Sequence, residues 1–397
     1  MNRALHLMID HVFTRDFIAD ATKVNNSLHD FLVYGQGISG KSFVAAGPNV
    51  TIAAYGSSRY KKILARLGTH YTHLFVHWLS YEAGEAVIAA PKHVKVGAFF
   101  WGNDFAEPTT YFCERVFEPL NLAHYRNSSN SRSIKWRNNP RWRYITNPAW
   151  VLKTLRQKLA GAHGTAALFE AKKTAIARLD YFLHFNSHDL DWVNIQTPTK
   201  AAYVPFFYAA GYEEAAGVEA TLTTRPSVVI GNSASMTNNH LDTLTGLLRN
   251  ANDCELVIPL SYGDARYGAH VTQAGKQLFG ESCRPLTTYL SRDDYFKTIG
   301  GATSALFNIR RTQAVGNINA MFAMGKNVFI NRHCPLYKYY VENGFLIYDI
   351  EDAYSGDALV TPLNTHDAVK NKERLTNVFS EKLRMKYLND ILNFISV

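Results

Sequence analysis

Gly231-Asn232-Ser233, then Asn238 and His240, follow the apolar run Val228-Val229-Ile230 and precede Leu241, Leu244, Leu247 and Leu248 at helical spacing. The pattern predicts strand, glycine turn and helix, half of a βαβ unit. The first N–H groups of such a helix have no internal partner and carry the positive end of its dipole, so an anion such as a diphosphate is expected there. Asn232, Ser233, Asn238 and His240 would add side-chain donors at the same spot. Without a ligand the same residues are turn formers, with Thr237 or Asn238 capping the helix.

Two more stretches have chemistry-like spacing. Gly35-Gln36-Gly37-Ile38-Ser39-Gly40-Lys41-Ser42 fits the P-loop pattern G-x-x-x-x-G-K-[ST]. A working P-loop leads into a helix facing the phosphates, whereas Gly47-Pro48 interrupts here within about two turns, so nucleotide hydrolysis is the weaker alternative. Asp189-Leu190-Asp191 resembles a D-x-D site for a divalent ion on a diphosphate. His188 and Trp192 flank it at an expected helix start, where Asp serves as cap or dipole partner, so no metal is expected.

The elements that must position these residues alternate along the chain. Leu5 to Ile9, Phe31 to Tyr34, Val50 to Ala54, Leu74 to His77, Val94 to Phe100, Tyr181 to Phe185 and Ala202 to Val204 are short apolar runs separated by helix-length stretches. A second set comprises Val228 to Ile230, Leu256 to Leu260, Leu306 to Ile309, Val328 to Ile330 and Leu346 to Tyr348. Strand and crossover repeated in this way signal α/β structure with parallel sheets. At 397 residues the chain exceeds what one core usually organises. We place a first domain at 1–210, a linker rich in Ala, Gly, Glu and Thr at 211–226, and a second domain at 227–397 closed by one or two helices between Asp367 and Phe394.

Composition narrows the partners. Hydrophobic content of 47% with 19% charged residues suits a folded soluble protein, and no apolar run is long enough to span a bilayer. The N-terminus lacks a signal peptide's apolar region, so a cytoplasmic location is expected, and Cys113, Cys254, Cys283 and Cys334 are too scattered for a zinc site or disulfide framework. The net charge of +9 is unevenly placed: no acidic residue lies between Glu118 and Glu170. Arg126, Arg132, Lys135, Arg137, Arg141, Arg143, Lys153, Arg156 and Lys158 lie there, interleaved with Trp136, Trp142, Tyr144 and Trp150. Such a segment suits an anionic membrane surface, where basic residues meet head groups and Trp and Tyr favour the interface. A nucleic acid would answer to the same charges, which makes a non-enzymatic polyanion binder the competing class.

The spacing from Gly231 to His240 does not stand alone. It resembles the start of the C-terminal domain in bacterial 4-acetamido-4,6-dideoxygalactose (Fuc4NAc) transferases of glycosyltransferase family 56. The resemblance continues through Pro259 with Tyr262, Gln273-Ala274-Gly275 with Leu278-Phe279, Tyr295, Arg311 with Gln313 and Gly316, Asn331-Arg332 with Pro335, and Glu342. It reaches the first half at His77, Trp101-Gly102 with Asp104, and Pro205. The family implies the GT-B architecture, two Rossmann-like parallel-sheet domains facing a central cleft, working without a metal or other cofactor.

The implied reaction moves Fuc4NAc from a thymidine diphosphate (TDP) donor to an undecaprenyl-diphosphate-linked saccharide, as in enterobacterial common antigen assembly. It would take place on the cytoplasmic face of the inner membrane, with no nucleic acid involved. Donor contacts are expected from Gly231, Asn232, Ser233, Asn238, His240, Tyr262, Arg311, Gln313, Gly316, Asn317, Asn331, Arg332 and Glu342. Among these Arg311 is chosen for the phosphate, Tyr262 for stacking on the base and Glu342 for the ribose. Asp104 follows an apolar strand and is expected to be the general base, with His77 a second candidate or an acceptor contact; a turn-forming Asp and a core His are the alternatives. Arg132, Lys135, Trp136, Arg137, Arg141, Trp142 and Arg143 are expected to meet membrane or acceptor, although much of 121–164 looks like an insertion relative to the family.

Overall fold

The computed structural model describes residues 2–24, 27–35, 42–106, 109–129, 164–209, 212–218, 225–251 and 253–394. The membrane-facing candidates Arg132 to Arg143 and positions 36–41 of the P-loop pattern lie outside them.

Two parallel sheets form. The first contains β1 (Ala4–Ile9), β2 (His29–Tyr34), β3 (Val50–Ile52), β4 (His73–His77), β5 (Lys95–Phe99), β6 (Tyr181–His184) and β7 (Ala202–Pro205), in the order β3-β2-β1-β4-β5-β6-β7. The second contains β8 (Ser227–Ile230), β9 (Glu255–Pro259), β10 (Cys283–Leu286), β11 (Ser304–Phe307), β12 (Asn327–Ile330) and β13 (Tyr348–Asp349), in the order β10-β9-β8-β11-β12-β13. Helices cover both faces of each sheet, so central strands such as β8, β11 and β12 are buried along their whole length and read as continuous apolar runs. Each sheet has a separate core on each face. Every fully buried Leu, Ile or Val contributes about 1.5–3 kcal/mol relative to exposure.

The strand the sequence reading lacks is β10, Cys283-Arg284-Pro285-Leu286. It has no apolar run, and its proline cannot donate to a ladder, which suits the sheet edge it occupies. Each strand order reverses at one point, between β1 and β4 in the first sheet and between β8 and β11 in the second. Ligands of open α/β sheets bind outside the carboxyl ends of the strands at such switch points.

Two helices cross between the domains. The last, Glu381–Phe394, follows the second domain in sequence but packs against Val12–Val24 of the first. Leu388, Ile391 and Leu392 complete that domain's core, and Arg384 pairs with Asp20. In the other direction, the helix Pro119–Ser129 leans on the second domain. Asp242 accepts from the N–H groups of Leu120 and Asn121 (2.8 and 2.9 Å), capping that helix from outside its own domain. Asn121 returns the contact, donating to Met236 O and Tyr267 Oη and accepting from Leu241 N.

Candidate active site

The carboxyl ends of β8 and β11 bring the predicted donor residues together. Gly231 turns at φ +67 after β8, and a β-carbon there would stand 2.7 Å from His240 Nε2 and 3.1 Å from Asn238 Cγ, so only glycine fits. Asn238 Nδ2 donates to Ser233 O (2.9 Å), and its Oδ1 accepts from Gln313 Nε2 (3.0 Å). Thr237 Oγ1 donates to Gln313 Oε1 (2.6 Å) and accepts from Arg311 Nη2 (3.2 Å). Asn232, Ser233, Asn238, His240, Arg311 and Gln313 thus belong to one constellation, with Thr237 its unforeseen hub.

Within it the roles differ from expectation. Ser233, Asn238 and His240 are buried, so they build the turn, while Asn232 stays half-exposed and donates to Tyr262 Oη (2.7 Å). His240 is fully buried, which pushes its imidazole down to about 3 and keeps it neutral. The helix after the turn, His240–Gly246, does not offer its start to an anion: Asn121 Oδ1 already accepts from Leu241 N (3.0 Å). The helix Val315–Ala323 is better placed. Its first turn holds an exposed Gly316 and a half-buried Asn317, follows Arg311 and Gln313 directly, and is entered through Ala314 at φ +60. First-turn N–H groups there have no partner within the helix. Asn317 Oδ1 accepts from Tyr295 Oη (2.8 Å), and Tyr262, 55% exposed, stands on the loop after β9.

Three predicted donor residues are occupied elsewhere. Asn331 Nδ2 lies 2.8 Å from both Glu118 Oε1 and Asn308 Oδ1, at the junction of the domains. Arg332 pairs with Asp349. Glu342 accepts from His188 Nε2 of the first domain (2.6 Å), so its half-exposed carboxylate ties the domains.

The first domain corrects the base assignment. Asp104 is fully buried; its Oδ1 accepts from Trp101 N (3.1 Å) and its Oδ2 from Leu79 N (3.2 Å). Lys172 donates to Asp104 O (2.6 Å) and to Leu79 O, locking the same two loops. Burial pushes the Asp104 carboxyl up to about 6, against the pull of Lys172 and these N–H groups. It fastens the turn and faces no substrate. His77 is likewise buried, its Nε2 3.0 Å from His6 Nδ1 and its Nδ1 2.6 Å from Tyr208 Oη. What Asp104 holds in place is Trp101-Gly102. A β-carbon on Gly102 (φ +100) would stand 2.3 Å from Thr312 O and 3.6 Å from Arg311 Nη1, so this loop touches the donor constellation directly.

Asp189 of the D-x-D pattern is buried, with Thr312 Oγ1 2.7 and 2.8 Å from its two oxygens and His184 Nε2 3.2 Å away. It is another tie between the domains.

Comparison with known proteins settles the class. Residues 169–381, more than half of the chain, match the family model described as 4-alpha-L-fucosyltransferase, glycosyl transferase group 56. The chain belongs to glycosyltransferase group 56. Solved structures share its fold at low identity. The UDP-forming α,α-trehalose-phosphate synthase of Burkholderia vietnamiensis superposes at a TM-score of 0.58 with 9% identity, covering 100% of both chains. Sucrose-phosphate synthase of Thermosynechococcus elongatus gives 0.59 and 9%, covering 100% of this chain and 99% of that one. A Thermobaculum terrenum O-GlcNAc transferase mutant gives 0.58 and 11%, covering 99% and 68%. The group 56 chain is thus a GT-B hexosyltransferase.

Proposed function

We propose that the enzyme transfers a deoxy-amino sugar, Fuc4NAc, from its TDP donor to an undecaprenyl-diphosphate-linked saccharide, without a metal. The observation that carries this reading is the constellation at the β8/β11 switch point, where Gly231-Asn232, Arg311, Gln313 and the first turn of Val315–Ala323 converge. As the glycosidic C–O bond to the donor phosphate breaks, its electron pair leaves on the diphosphate, an acceptor hydroxyl oxygen bonds to the anomeric carbon in its place, and that hydroxyl's proton passes to water. Arg311 and the N–H groups at Gly316 and Asn317 stabilise that charge, so the cations and dipoles a metal would supply are built into the chain. Tyr262, Tyr295 and Asn317 line the outer edge, where the base and ribose extend. The acceptor enters from the first domain, and the basic, aromatic segment from Arg132 to Arg143 rests on the cytoplasmic face of the bacterial inner membrane. No helix among the described residues is long and apolar enough to cross a membrane, which fits peripheral attachment.

The test is a melting series followed by a transfer assay. TDP should raise the melting temperature at concentrations where inorganic diphosphate and polyphosphate do not, because a ligand bound only to the folded state stabilises it. Transfer from a panel of nucleotide sugars to lipid-linked saccharide extracted from membranes then names the donor. Equal protection by every polyanion and none by TDP overturns the proposal.

A further inference from the structure

At the switch point of the first sheet, between β1 and β4, the loops and the first turn of the helix Val12–Val24 carry a group of rings that no predicted role used. Phe13, 37% exposed, stacks on Tyr208 (5.3 Å, 21°) and meets Trp101 edge-on (5.3 Å, 81°). His11 lies 5.1 Å from Trp101, and Trp78 runs parallel to it (6.3 Å, 13°). Trp78 holds φ +70, a strained conformation for a bulky residue.

The polar atoms of this floor have fixed directions. His29 Nε2 is 3.0 Å from Leu392 O, which can only accept, so the proton sits on Nε2 and His29 Nδ1 must accept from His6 Nε2 (2.9 Å). His6 Nδ1 then accepts from His77 Nε2 (3.0 Å), and His77 Nδ1 from the Tyr208 hydroxyl (2.6 Å). With its own proton committed to His77, Tyr208 Oη can only accept from any other group, and the Trp101 indole N–H beside it takes one of its two acceptor positions, leaving one. His11 is oriented the opposite way: its Nδ1 accepts from Phe13 N (3.2 Å), and burial keeps the ring neutral, so Nε2 is a donor.

We propose that Phe13, Trp101 and Tyr208 seat the sugar ring of the acceptor, with Tyr208 Oη accepting from one hydroxyl and His11 Nε2 donating to another. This rests on the glycosyl-transfer reading above. A pyranose has C–H faces for aromatic rings and hydroxyls for the polar atoms at their edges; a prenyl chain has nothing to offer Tyr208 or His11. Position argues the same way. Trp101 adjoins Gly102, which packs against Thr312 O beside Arg311, so a ring on this floor lies next to the donor phosphates. Transfer requires the acceptor oxygen about 3–3.5 Å from the donor carbon, a place for the acceptor's sugar and not for its lipid tail. The buried imidazole chain acts through Tyr208 and is a positioning device.

Two variants and two ligands test this on the full chain. Phe13→Ala should raise the KM for the lipid-linked saccharide about tenfold, and Tyr208→Phe about fivefold. For both, the donor KM and the melting shift given by TDP should stay within about twofold of wild type. Saccharide released from its lipid by mild acid should quench tryptophan fluorescence in wild type and lose that effect in Phe13→Ala, while vesicles containing undecaprenyl phosphate should not quench. Unchanged acceptor KM in both variants, or quenching by the vesicles and not by the saccharide, overturns the proposal. If the wild-type protein transfers no sugar from any donor, the proposed function falls first, and the fluorescence arms alone then decide the occupant of the floor.

Discussion

His240 Nε2 lies 2.7 Å from the place a β-carbon on Gly231 would take, so the imidazole fills the space a side chain would need at the donor turn. Gly231→Ala meets that clash and left-handed strain together. It is expected to lose about 1–3 kcal/mol of stability and most of the protection by TDP. Urea unfolding and a nucleotide melting series read the two effects, and a variant as stable as wild type would mean the turn has more room than this packing leaves.

Arg311, buried, divides its guanidinium between Thr312 O (3.1 Å) and Thr237 Oγ1 (3.2 Å), and its Nη1 is 3.6 Å from the place a β-carbon on Gly102 would take. Lysine keeps the charge but cannot hold two partners in a plane. Arg311→Lys should raise the donor KM about tenfold and lower kcat at least as much, with the acceptor KM nearly constant. Initial rates at varied donor and acceptor check it; an unchanged donor KM removes Arg311 from the phosphate.

Asp104→Asn separates a fastener from a base. The amide replaces one acceptor oxygen by a donor facing a backbone N–H, at a cost of about 1–3 kcal/mol. Turnover per folded molecule should stay near wild type. A loss of about a hundredfold or more in kcat at unchanged melting temperature would restore Asp104 as the proton acceptor.

The buried imidazoles set an acid limit. Burial holds His6 and His77 well below their ordinary value, lowers His29, and takes His240 down to about 3. In the unfolded chain all four titrate near pH 6.5, so their contribution is fully present above that pH. Below it the unfolded state binds protons the folded state refuses, and each imidazole adds a slope approaching ~1.4 kcal/mol per pH unit until its own folded value is reached. Asp104 acts in the opposite sense, because its raised carboxyl binds its proton more tightly when folded and so favours the folded state as pH falls through about 6. One such group does not offset four. Unfolding free energies at pH 7.5, 6.5 and 5.5 should fall steeply over the last interval, and a flat profile would mean the imidazoles are solvated.

The sequence by itself determined the alternation of strands and crossovers, because strands buried on both faces must be largely apolar, as Val228-Val229-Ile230 and Leu74-Phe75-Val76 are. It also determined the glycine turn after β8, since Gly231, Asn238 and His240 lie close in the chain and their contacts are local. Only the tertiary structure decided which polar residues face the cleft. Asp104, Asp189 and Glu342 have the right chemistry for catalysis, metal or ribose, yet partners far away in sequence, the Leu79 N–H, Thr312 and His188, hold their carboxylates. The aromatic floor was hidden for the same reason: Phe13, Trp101 and Tyr208 follow β1, β5 and β7, strands that are not neighbours in the sheet, and only the packing of the segments beyond their carboxyl ends brings the rings together. A side chain's type is written in the sequence, but whether it is free to act depends on which long-range partner reaches it first.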